Sequence, residues 1–324
     1  MSEIRKSNIK GAGFALAAFG LFATHDVVVK VLGTSLATFQ IVFFSVLFSF
    51  PLVTLMLMRD ATQGTLIPVH PWWTALRTVA AILTGSSAFY AFTVLPLADV
   101  YAMLFAAPLL ITILSIPILG EKVGRHRWFA VILGLIGVLI VLRPTGGSLG
   151  LGHAAALTAA ISGALASIIV RKIGKDERSV VFLLYPMMAN FILMSALVPF
   201  VYRPMEVTEL GLIAVMAVLA FLAGILLIKA YRTADATIVA PMQYSQILWA
   251  SAYGMFFFSE TPGTLTIVGT GIIIASGIYI VLREALGGTT QSSPVLQSRS
   301  RPETATSPRP VAHWWQQSRF RSKD

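Results

Sequence analysis

The chain of 324 residues contains no cysteine. That excludes disulfides, thiolate nucleophiles and thiolate-ligated metal centres. Charge is scarce as well: 12% of residues are Asp, Glu, Lys or Arg, and only 14 are acidic. So few charges do not cover the surface of a water-soluble protein of this length. No P-loop and no HExxH pattern is present, and His25, His70, His126, His153 and His313 show no metal-ligand spacing. No metal, no cofactor and no ATP-driven step is therefore expected.

What the chain has instead is apolar length. Hydrophobic residues make up 56% of it, and the mean hydropathy is +0.80. A bilayer core of about 30 Å takes roughly 20 apolar residues per helix. By that measure ten spans are expected, near 11–32, 36–58, 72–94, 98–119, 126–142, 150–171, 179–201, 208–230, 236–258 and 263–282. The apolar start after MSEIRKSNIK mimics a signal peptide, but so many spans follow that the first reads as a retained helix. Prolines 51, 108, 117, 186 and 241 fall inside spans, where membrane bundles tolerate them if neighbours satisfy the freed carbonyls.

The net charge of +10 is spread over short loops and the tail rather than one face, so it argues against nucleic acid. It orients the chain instead, because cytoplasmic loops carry the excess of Lys and Arg. With the N-terminus inside, the inner segments hold Arg5, Lys6, Lys10, Arg59, Lys122, Arg125, Arg127, Arg171, Lys172, Lys175, Arg178, Lys229 and Arg232. The outer loops hold only Arg143 and Arg203. Both termini are expected in the cytoplasm. Residues 1–10 form the cytoplasmic N-terminus, and 284–324, rich in Ser, Thr, Pro and Arg, form a disordered cytoplasmic tail.

The chain also repeats itself. Leu95–Pro144 and Thr233–Arg283 each carry Ala-Asp near the start (Ala98-Asp99, Ala234-Asp235), a proline within the first helix and a hinge ending in Glu (Gly120-Glu121, Ser259-Glu260). The fold class expected is an all-α integral membrane protein, ten transmembrane helices in two inverted five-helix repeats, 11–142 and 150–282. Inversion puts Glu121 inside and Glu260 outside, so the two cannot act as a catalytic carboxylate pair. Each reads as a hinge or cap.

Pro96-Leu97-Ala98-Asp99, Ala107-Pro108-Leu109, Gly120-Glu121 and the Gly134/Gly137 pair resemble the first repeat of the drug/metabolite transporter superfamily, in its EamA branch. Ala240-Pro241, Gln243-Tyr244 and Glu260-Thr261-Pro262 resemble the second. The likeness covers about 1–283. It implies ten helices around a central cavity, in a bacterial inner membrane, and a solute such as an amino acid, a nucleotide-sugar, S-adenosylmethionine or riboflavin. Members of the nearest type often carry an arginine in the second helix where this chain reads Phe44-Ser45-Val46.

Charges inside spans are functional candidates because hydrocarbon penalises them. His25, Asp26 and Lys30 stand together in the first span, with Asp26 and Lys30 four apart and able to pair. They are candidates for an outer gate or a proton-sensitive element. Arg77, after Trp72-Trp73, either snorkels to lipid or attracts solute at the inner mouth. In the ninth span Gln243, Gln246 and Tyr253 share a helical face beside Trp249. Tyr101 and Phe105 in the fourth span offer an opposing aromatic wall, and Ser86, Ser87 and Tyr90 in the third add hydroxyls. Rings to sandwich a plane and amides to read its edge suit a flat heteroaromatic solute. Ile273, in the tenth span, is expected to face lipid.

The function expected is therefore secondary transport by alternating access, with riboflavin or a similar vitamin, taken up, as the leading solute. Import or export of amino acids or S-adenosylmethionine is the alternative. A membrane-embedded enzyme would need a nucleophile with its base, and none is visible. The partners expected are a small-molecule substrate and the lipid bilayer, not nucleic acid, with a homodimer as the alternative to a monomer.

Overall fold

The computed structural model describes residues 2–58, 66–120, 123–142, 150–174, 176–177, 179–233 and 239–286, and those residues form helices and connections with no strand. Arg59, Glu121, Lys122, Arg143, Lys175, Arg178, Ala234, Asp235 and the tail beyond Leu286 lie outside the described residues.

The helices are α1 (Ser2–Leu32), α2 (Thr38–Met58), α3 (Pro71–Val94), α4 (Leu97–Leu104), α5 (Ala107–Leu119), α6 (Arg125–Leu142), α7 (Leu151–Ile173), α8 (Ser179–Val201) and α9 (Val207–Thr233). A 3₁₀ turn, Ala240–Tyr244, leads into α10 (Ser245–Phe258), and α11 (Thr264–Leu286) follows. Each expected span finds its helix, with differences at four of them. The first begins earlier, at Ser2, and the tenth runs on to Leu286. The fourth and the ninth are each divided.

The divisions have one cause. Pro108 sits in the first turn of α5 and Pro241 in the first turn of the 3₁₀ segment. A proline has no N–H and crowds the carbonyl four residues earlier, so it starts a helix better than it continues one. At the first break Ala106 N–H turns back to the Met103 carbonyl at 3.1 Å, which closes α4 as a tight turn. Pro51, Pro117, Pro186 and Pro199 stay inside continuous helices. The two divided spans also end alike. Gly120 closes α5 at φ 70° and Ser259 closes α10 at φ 54°, both left-handed. At Ser259 the following N–H, of Glu260, reaches back to the Gly254 carbonyl at 2.9 Å.

By length and apolarity, Ile9–Leu32, Pro71–Val94, Leu97–Leu119, Leu151–Ile173, Leu184–Val201 and Val207–Leu227 can each cross a membrane. Thr38–Leu52, Trp128–Leu142 and Thr264–Tyr279 are shorter apolar segments among the described residues. Outward-facing side chains fit that setting. Phe256 is 83% exposed, and Leu248, Phe257, Ile192 and Phe129 are exposed too. An apolar belt of that extent calls for lipid, not water.

Packing reproduces the inverted repeat. The main partners are α1 with α9, α3 with α7, and α6 with α11. Exchanging the repeats turns α1 into α7 and α9 into α3, so the first two pairings are one pairing seen twice. The third maps onto itself. There the backbones touch: a Cβ on Gly137 would lie 2.8 Å from the Gly269 carbonyl oxygen, and only glycine permits that approach. Ile273 packs into the same contact and is 1% exposed. It does not face lipid, because the close α6–α11 contact covers that side of the helix. Around α4 the core is aromatic, with Phe89, Phe92, Tyr101 and Phe105 fully buried.

Candidate functional site

The interrupted spans bring together polar groups that a continuous helix would have staggered differently. α4 carries Tyr101 inward, α10 starts with Gln246 in its first turn, and α1 supplies His25 and Asp26. All four are buried: Asp26, Tyr101 and Gln246 are 0% exposed and His25 is 1%. His25 Nδ1 lies 2.7 Å from Asp26 Oδ1. The Tyr101 hydroxyl donates to Asp26 Oδ2, and Gln246 Nε2 donates to the Tyr101 oxygen at 3.3 Å. The chain His25–Asp26–Tyr101–Gln246 thus joins both repeats. Gln246 Oε1, at its end, has no hydrogen-bond partner among the described residues. An unmatched acceptor in a dry interior is costly unless something arrives to use it.

Aromatic rings surround this chain. Phe89 meets His25 edge-on at 5.9 Å. Phe105 lies 5.9 Å from Tyr101 and 5.1 Å from Tyr244, the latter edge to face. Trp249 stacks on Tyr253 at 6.2 Å, and the Tyr253 hydroxyl is 3.0 Å from Thr24 Oγ1, on the turn before Asp26. Trp249 covers Gly20 of α1 and is 39% exposed.

Not every candidate joins the cluster. Gln243 is half-buried in the 3₁₀ turn and not in α10, so the expected single stripe is split at the Tyr244–Ser245 junction. Ser86, Ser87 and Tyr90 lie half-buried on α3, with Ser86 Oγ buried and unpartnered among the described residues. Arg77 donates to the Phe182 carbonyl of α8 and covers its ring at 5.1 Å, tying α3 to α8. Lys30 makes its ion pair with Glu260, at 2.5 Å, while Asp26 is held by His25 and Tyr101. Asp99 of the Ala-Asp motif accepts from Thr266 at 2.7 Å and fastens α4 to α11.

Sequence reasoning missed three of these roles. Tyr244, beside Gln243, buttresses Phe105 and fills the space left by Gly277. Thr24, next to His25, anchors Tyr253. Gln40, fully buried, brackets the Arg203 peptide with bonds of 2.8 and 3.0 Å. Adjacency to charged or amide residues was the only signal for the first two. A surface cavity of about 540 Å³ lies elsewhere, lined by Gly33–Ala37 and Phe200–Arg203, between the α1–α2 and α8–α9 connections.

Two inverted helical repeats, paired broken helices and a buried polar chain at their junction define a membrane transporter of small metabolites, not an enzyme. The chain belongs to the EamA-like transporter family, which matches residues 9–143 and again 150–283. It is 28% identical to an S-adenosylmethionine uptake transporter of Rickettsia felis over 284 residues, 88% of this chain and 96% of that protein. A pseudopaline exporter of Pseudomonas aeruginosa is 27% identical, with 83% and 95% covered. A riboflavin transporter of Vibrio cholerae is 29% identical over 211 residues, 64% of this chain and 70% of that protein. A solved crystal structure shares the fold at a TM-score of 0.56 and 16% identity, covering 88% of this chain and 99% of that one.

Proposed function

We propose that the chain takes up a cationic, N–H-rich metabolite bearing a heteroaromatic ring, of the S-adenosylmethionine type, across a bacterial inner membrane. The observation that carries the reading is the polarity of the one atom left unmatched in the buried chain. Gln246 has committed its donor to Tyr101, and its free atom is the acceptor Oε1. Asp26 adds a buried carboxylate a short way along the same chain. Acceptors and negative charge complement a solute that brings ammonium, sulfonium and amine groups. Riboflavin presents mainly carbonyl acceptors at its ring edge and would need donors in return. Both solutes would use the Trp249–Tyr253 and Tyr101–Phe105 rings as walls.

The relatives matched along nearly their whole length include the S-adenosylmethionine carriers, which supports the same choice. The cation distribution supports cytoplasmic termini. The test is purified protein in liposomes, offered labelled S-adenosylmethionine and labelled riboflavin separately. Saturable uptake of the first, competed by unlabelled S-adenosylmethionine and not by riboflavin, is expected. Saturable riboflavin transport without S-adenosylmethionine transport would return the assignment to the vitamin.

A further inference from the structure

One end of the bundle is tied shut across the repeat boundary. Lys30, in the last turn of α1, pairs with Glu260, which follows α10, at 2.5 Å. Lys30 Nζ also donates to the Leu95 carbonyl at 2.6 Å and sits 5.1 Å from the Phe258 ring centre. Glu260 Oε2 accepts from the Leu97 N–H, the first of α4, at 3.3 Å. Beside them Gly33 lies so close to Thr93 that no Cβ would fit. Three separate pieces, the end of α1, the α3–α4 turn and the end of α10, therefore meet at two charges.

The repeat relation makes this closure informative. α1 packs on α3 at this end, but the related pair, α7 and α9, shows no comparable packing among the described residues. Lys30 and Glu260 are also largely shielded, with side chains 10% and 23% accessible. In that setting each charge is stable with its partner or with water, and poorly so with neither. That is the property of a contact with two states.

We propose that Lys30 and Glu260 are the gate pair of the transport cycle at this mouth. Formed, the pair holds α1 and α10 against the α3–α4 turn; broken by entering water, it lets them part and opens the path to the Asp26–Gln246 chain. The assignment rests on the carrier reading and uses the proposed orientation only to call this mouth external.

The absence of cysteine permits a direct test. Ala98, 5% exposed in the first turn of α4, follows Leu97, whose N–H is held by Glu260. Ala98→Cys is introduced alone, and its labelling by a membrane-impermeant maleimide is followed in intact cells. Slow labelling is expected in that background. Adding Lys30→Glu or Glu260→Lys sets like charges face to face and should raise the rate about tenfold or more by shifting the population to the open state. The double reversal should return it toward the slow value, which a merely structural disturbance would not do. Lys30→Met and Glu260→Gln, which remove charge without reversing it, carry the test if a reversal lowers membrane abundance.

Unchanged labelling in all single variants at normal abundance, or no recovery in the double reversal, would overturn the proposal. Acceleration seen only in inverted vesicles upholds the gate and reverses the orientation. Because the readout needs no solute, it is independent of which metabolite is carried.

Discussion

The two proline-broken spans occupy equivalent places in the two repeats and end in the same left-handed cap; α4, before the proline of the first, and α10, after that of the second, are packed differently. In α4 every residue except Asp99 is buried, and the tilted ring contacts of Tyr101 with Phe92 and Phe105 make it part of the core. In α10 only Gln246, Ile247, Ala250 and Gly254 are buried, while Leu248, Phe256 and Phe257 face outward. α4 is separated from α5 by a break between two α-helices, and α10 is entered through a 3₁₀ turn, whose hydrogen-bond geometry is poorer. α4 is thus a post within the core, whereas α10 divides its residues between the core and the outer face.

The sharpest way to break that contrast is to overfill both helices. Ala102→Phe in α4, at 0% exposure, should cost about 1–3 kcal/mol and lower the unfolding temperature in detergent. Leu248→Phe in α10, 71% exposed, should stay within about 0.5 kcal/mol. Equal losses in the two would mean that α10 is packed as tightly as α4 in the membrane.

A smaller effect, on transport alone, is expected at Gln246 of α10. Gln246→Leu removes the unmatched acceptor and the donor to Tyr101. Leaving solute N–H groups unpaired should cost roughly 1–3 kcal/mol, about five- to 150-fold in half-saturating concentration. Parent-like uptake at limiting solute, with abundance unchanged, would remove Gln246 from recognition.

Smaller again is the stacking wall. Trp249→Ala should weaken apparent affinity about two- to tenfold, the loss of one ring–ring contact, and Trp249→Phe should keep most of it. Ile267→Leu, at a position 60% exposed on α11, serves as the lipid-facing control and should leave uptake unchanged. If the control moves as far as Trp249→Ala, the α10 aromatics act through general packing.

By itself the sequence determined the number, place and class of the helices, because crossing hydrocarbon demands unbroken apolar length and leaves that length visible in the residues. It also marked the hinges: Gly120 and Ser259, each before a glutamate, take the left-handed turns that end the divided spans. It identified Asp26, Tyr101 and Gln246 one by one, since polar groups stand out against so apolar a background.

Only the tertiary structure decided which of the prolines break their helices and which do not, for that turns on the neighbours around each freed carbonyl. Only it joined Tyr101 to Asp26 and to Gln246, residues 75 and 145 positions apart. It also gave Lys30 to Glu260 and not to Asp26, although helical spacing alone favoured the nearer partner. Pairing at a distance depends on how two repeats pack, and packing is a property of surfaces that form only once the helices have assembled.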